Sequence, residues 1–242
     1  MVKLPISNCR FPIVACCFIA ALAIGQEVPT PSPSETHSPS PGTTPSAAAA
    51  QNVPLRFVPP PMEGTISLGI WDSNDKLVRV LHREAKIDGF IIDESSLKTT
   101  WDGKNDAGDD LPSGKYRARG YLVAKLKVED LGKAEAAVAN ESDHIPVKLV
   151  PNPLNSDTRA VMEVGVGFDR NGSFLKTTDG LPLATINDNP GLSRVTIGKY
   201  GEKAADVWQE DASGTEHLRI SGIDKIMAFD CGFFELKVDR GN

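Results

Sequence analysis

Apolar and polar residues alternate through most of the chain beyond residue 50, and the alternation predicts strands. Residues 55–58 alternate before the break Pro59-Pro60-Pro61, and residues 65–71 alternate again with Ile66, Leu68 and Ile70 on one face. The polar tetrad Asp72-Ser73-Asn74-Asp75 offers side chains that bond their own backbone and tolerate left-handed conformations, which predicts a hairpin returning through residues 77–81. Residues 86–96 read as irregular, residues 97–101 as a strand, and residues 116–128 as one long strand. The best helical stretch, residues 133–138, is too short to stand alone and predicts a connector. Further short strands are expected at 147–150, 160–168, 174–177, 194–197, 206–209, 217–220 and 225–238, with Asn171-Gly172 the strongest hairpin turn. The stretch 71–79 is echoed by 168–176, a likeness that independent use of one good turn explains.

Between two predicted strands lies Trp101-Asp102-Gly103-Lys104-Asn105-Asp106-Ala107-Gly108, followed by Pro112-Ser113-Gly114-Lys115-Tyr116. Glycines 103, 108 and 114 permit positive φ at tight reversals, Asp102 and Asp106 can accept bonds from nearby amides, and Trp101 is expected over a core. Together with Asp72 and the hairpin after it, this ordered set resembles the FlgD-type immunoglobulin-like domain of flagellar hook-capping proteins, which recurs in many secreted bacterial proteins. The resemblance covers residues 55–128. It implies a β-sandwich with a role in assembly or spacing and carries no catalytic residues. The stretch 85–100 is longer than the family's usual connection. The phrase 167–174 also resembles blades of secreted β-propellers, but the region is too short to close one, so a second sandwich or an extension packed on the first is expected.

At the N-terminus Lys3 and Arg10 precede an apolar run, residues 11–23, and the small residues Ala21, Ala23 and Gly25. That order predicts a secretory signal peptide over 1–25, its apolar run shorter than the about 20 residues of a membrane-spanning helix. A lipoprotein box ending at Cys16 is the rival reading, and the apolar run before it is too short. Residues 26–53 are rich in Pro, Ser, Thr and Ala and predict a disordered linker. The expected order is therefore signal peptide (1–25), linker (26–53), FlgD-type immunoglobulin-like sandwich (54–128), connector (129–145) and second all-β region (146–242), an all-β fold. Loss of the leader removes Cys9, Cys16 and Cys17 and leaves Cys231, in an apolar run, as an inert buried thiol.

The formal net charge of −6, with basic residues scattered among acids, excludes the clustered cations that nucleic acid needs. The turn-rich run fails the EF-hand spacing, because Lys104, Ala107 and Ser113 occupy ligand and glycine positions, which leaves Asp106, Asp109 and Asp110 as weak metal candidates. His37, His82, His144 and His217 have no ligand spacing, and no nucleophile elbow or phosphate loop is present. No catalytic residue and no cofactor are expected. The chain reads as an exported, non-catalytic interaction module of the periplasm, cell surface or extracellular space, not integral to a membrane, with a protein partner. A carbohydrate-binding module is the alternative, with Trp208, Tyr121 and Tyr200 as candidate platforms, and an accessory part of a larger secreted enzyme system is the third reading.

Overall fold

The computed structural model describes residues 52–135, 142–154 and 159–237, all within one compact unit, Ala47–Asn242. The predicted signal peptide and nearly all of the predicted linker lie outside the described residues. Among the described residues fifteen strands follow one another: β1 Val53–Phe57, β2 Thr65–Trp71, β3 Leu77–Ala85, β4 Ile91–Asp93, β5 Ser96–Trp101, β6 Gly114–Val123, β7 Lys127–Ala134, β8 His144–Lys148, β9 Val161–Asp169, β10 Gly172–Thr177, β11 Pro182–Asn187, β12 Arg194–Tyr200, β13 Ala204–Asp211, β14 Gly214–Ser221 and β15 Ile226–Leu236. They form four antiparallel sheets ordered β1-β5-β4, β15-β6-β2-β3, β11-β10-β9-β8 and β12-β13-β14-β7.

The sheet β15-β6-β2-β3 carries the architecture. The alternation in β2 holds, with Ile66, Leu68 and Ile70 entering one core beside Leu55, Phe57, Leu97, Trp101 and Phe229. This core lies between the central sheet and β1-β5-β4 and makes a β-sandwich. The intervening residues do not face water as a half-buried strand would. Ser67 and Trp71 are buried too, and Trp71 joins a second core with Tyr121, Val123, Ile226, Ala228 and residues of the two remaining sheets. Each fully buried Ile, Leu or Phe contributes about 1.5–3 kcal/mol, so two cores share one sheet and stabilise it from both sides.

Three expectations are corrected. Residues 226–236 do not belong to the second β region, because β15 pairs with β6 from Ile226↔Val123 to Leu236↔Gly114 and completes the sandwich sheet. The expected long strand over 116–128 ends at Val123, and β7 begins at Lys127. The described part of the predicted helix, residues 133–135, ends a strand instead: β7 pairs with β14, Ala134 opposite Thr215. Local helix propensity gives way there to a ladder supplied from elsewhere in the chain. Strand β11 has no counterpart among the predicted elements. The other two four-stranded sheets share their core with the central sheet, so the region is an extension packed on the sandwich.

Candidate functional site

The turn-rich run is a structural clasp. Trp101 is fully buried and its indole N–H donates to the Lys104 carbonyl at 2.9 Å. Asp102 accepts from the Lys104 amide, Asn105 from the amides of Ala107 and Asp109, and Tyr116 donates its hydroxyl to the Pro112 carbonyl. Asp106 accepts from the Val80 amide at 2.9 Å and Arg79 donates to the Asn105 carbonyl at 2.6 Å, so the loop is tied to β3. Gly103 and Gly108 have φ of 77° and 88°. Gly114 does not need that freedom, since it opens β6 with ordinary strand backbone.

The hairpin turns repeat this chemistry. Asp72 accepts from the amide of Asn74 at 2.8 Å, and at the echoed position Asp169 accepts from the amide of Asn171 at 2.8 Å. The Asn171 amide and then Arg83 hold the Asp169 carboxyl below the usual carboxylate range.

The weak metal candidates are engaged with the protein. Besides the Asp106 bond, Asp109 accepts from the Asn105 side-chain amide at 3.0 Å and Asp110 lies 3.1 Å from the Lys104 ammonium. Among the described residues no three His, Cys, Asp or Glu side chains gather as a metal site.

Two of the three expected carbohydrate platforms are buried, Trp208 at 6% exposure and Tyr121 at 5%. Trp208 stacks on His217 with ring centroids 4.9 Å apart, and Tyr121 accepts a bond from Arg159 at 2.8 Å. Tyr200 is half-exposed, but the Arg219 guanidinium lies 3.4 Å from its ring centroid and occupies a face on which a sugar would stack. Arg219 also grips Asp206 through two bonds of 2.7 and 3.0 Å, and the His217 imidazole stands 3.3 Å from the same carboxylate. Burial of Asp206 works against its charge, but Arg219, with His217, outweighs it and holds the carboxyl below its ordinary range. On this face of β12-β13-β14, Asp206, Arg219, His217, Trp208 and Tyr200 thus engage one another as an ion and ring network.

A different place stands open. Strand β15 is the end strand of the central sheet. Its first half is covered: the Val150 amide donates to the Ile226 carbonyl at 2.8 Å, and Phe57 stacks on Phe229 with centroids 4.7 Å apart. Then a bulge at Cys231 shifts the register, Asp230 opposing Arg119 and Gly232 opposing Ala118. The extra residue reverses which face each later side chain takes. Phe234, opposite Tyr116, turns to the sandwich core and meets Trp101, with centroids 5.7 Å apart. Phe233, opposite Arg117, turns to the other face and is 59% exposed. The Lys115 ammonium lies 4.3 Å and the Arg117 guanidinium 4.8 Å from its ring centroid. A shallow depression lined by Ser113, Gly114, Lys115, Glu235, Leu236 and Lys237 opens beside it. The expectations from sequence did not include this site, because Phe233 sits in an apolar run that reads as core. Cys231 is partly buried rather than fully buried as expected, and burial pushes its thiol up to about 12.

A second apolar exposure lies on β4, where Ile91 and Ile92 are both exposed. Ile92 follows the buried residues Phe57 and Leu97 along one cross-strand row, so the row runs past the edge of the core. Among the described residues no helix is long and apolar enough to cross a membrane. Compared with protein-family models, curated proteins and solved structures, the chain matches none.

Proposed function

We propose that the protein is an exported, non-catalytic interaction module of the cell envelope or secreted space, built on a hook-cap-type immunoglobulin-like sandwich and meeting a protein partner at a sheet edge. The observation that carries this reading is Phe233: a large ring more than half exposed, on an end strand whose residues 226–229 are buried. Exposed apolar side chains at a strand edge are a liability that water-soluble domains blunt, and their retention points to a partner that covers them. The clasp around Trp101 and the Asp72 turn supply the ordered features of the hook-capping resemblance and perform structural work only, as that family implies. Carbohydrate binding has less support, since Trp208 and Tyr121 are buried and Arg219 lies over one face of the half-exposed Tyr200.

The test replaces Phe233 with a photo-crosslinking phenylalanine analogue in the native host and illuminates living cells. A reproducible adduct with one envelope or secreted protein, absent when the analogue stands at exposed Glu202, is the expected result. Adducts with no protein, or with polysaccharide alone, would overturn the reading.

A further inference from the structure

We propose that the free edge of β4 pairs with the same edge of a second copy of this chain, Ile92 lying on Ile92 across a two-fold axis. The contact is separate from the β15 edge and does not depend on what Phe233 meets.

Strand β4 is the end strand of the sheet β1-β5-β4, and its side chains Ile91 and Ile92 are 65% and 66% exposed. The ladder fixes which face each takes. Ile92 stands opposite Leu97, which stands opposite Phe57, and both of these are buried, so Ile92 lies on the sandwich face. Ile91, in one row with Lys98 and Arg56, lies on the outer face. The ladder also fixes where the backbone of β4 points. Only Glu94 and Ser95 separate Asp93 from its partner Ser96, and a loop so short closes on a hydrogen-bonded pair. Bonded and non-bonded pairs alternate along an antiparallel ladder, so Ile91 bonds to Lys98 while the N–H and C=O of Ile92 point out of the sheet edge. A two-fold axis perpendicular to the sheet keeps every side chain on its own face, and with Ile92 on that axis the two copies of the residue exchange both bonds. The apolar row of Phe57, Leu97 and Ile92 then continues into its own copy, and two three-stranded sheets become one. On the outer face Ile91 falls opposite Asp93 of the second copy, a carboxylate already held by Lys98 at 2.5 Å and by Arg56 at 3.8 Å within its own chain. Arg56 and Lys98 balance Asp93 and Glu94 at this edge, so the copies meet without local repulsion although each chain has a formal net charge of −6. The strand is short and the contact correspondingly weak, with a dissociation constant of about 0.1–1 mM. A pair so formed carries two β15 edges, which gives the module proposed above two points of attachment.

The test follows the purified full chain by sedimentation velocity from about 20 μM to about 1 mM. Reversible dimerisation is expected, weakened at least about tenfold by Ile92→Lys and by Ile92→Pro with the melting temperature unchanged. The lysine sets a charge directly opposite its own copy. The proline removes an N–H that the β4–β5 ladder does not use. Register is read by cysteine trapping under mild oxidation, with the linked peptides identified by mass spectrometry. Residues paired on the axis stand about 5.5 Å apart between α-carbons, within disulfide reach, whereas Ile91 lies diagonal to its own copy at about 7–8 Å. Ile92→Cys is therefore expected to give a 92-to-92 link and Ile91→Cys no 91-to-91 link. A chain that stays monomeric at about 1 mM, dimerisation that both Ile92 variants leave in place, or linking at 91 in preference to 92 would each overturn the inference. A protein adduct at position 233 survives any of those results, and its absence removes the edge reading while self-pairing through β4 stands.

Discussion

Gly120 and Phe229 face each other across β6 and β15, and the ring of Phe229 fills the space that a side chain at 120 would take. A β-carbon there would overlap the ring, which is itself stacked on Phe57 in the sandwich core. Gly120→Ala is expected to lower stability by about 1–3 kcal/mol, as overpacking of a dense core does. Adding Phe229→Leu to Gly120→Ala should return part of that loss, although Phe229→Leu alone destabilises. Urea unfolding of the three variants measures the coupling, and simple additivity would refute the packing account.

The C-terminal strand is structural for the first half of the chain. Truncation after Gly222 removes β15 and uncovers Tyr116, Ala118 and Leu122 on β6 as well as Tyr121 and Val123 on its other face. Neither core survives that exposure, so the truncated chain is expected to show no cooperative melting transition. A truncated chain that still melts sharply in calorimetry would mean that the sheets before residue 222 fold without β15.

Acid should act through Asp206. Its carboxyl titrates below an unfolded aspartate in the folded protein, so its stabilising contribution is present above about pH 4 and disappears as pH falls through the lower, folded value. Asp206→Asn is expected to cost about 1.5–3 kcal/mol at pH 7, where the bonds to Arg219 are charged. The gap between variant and parent melting temperatures should narrow below about pH 4. A gap that stays constant from pH 7 to pH 3 would remove Asp206 from the acid response.

Cys231 should resist alkylation. With the thiol pushed up to about 12 by burial, beside the Asp230 carboxylate, the thiolate is scarce at pH 8. Peptide mapping after iodoacetamide treatment should find residue 231 unmodified in the native protein and modified in denaturant. Rapid native labelling at 231 would contradict a packed bulge.

What the sequence disclosed follows the range of the interactions. The β2–β3 and β9–β10 hairpins were legible because Asp72 and Asp169 bond amides two residues on, a contact that needs no distant partner. The clasp around Trp101 was legible for the same reason. Strand β7 was not, because its identity comes from β14, some eighty residues away, and its own residues include helix formers. Strand β11 opens with Pro182 and carries Ala184, neither of which marks a strand. Phe233 was hidden most thoroughly. Its neighbours read as one apolar run, and only the extra residue at Cys231 turns it away from the core.

Arg117 and Asp230 lie 113 positions apart in the chain yet bond to each other across adjacent strands. A growing polypeptide therefore holds β2, β3 and β6 without their fourth strand until those intervening residues have been made. Contacts of such long range are slow to form and leave unpaired edges exposed meanwhile. The central sheet is consequently completed late, and the interval before it is when chaperones would find most to hold.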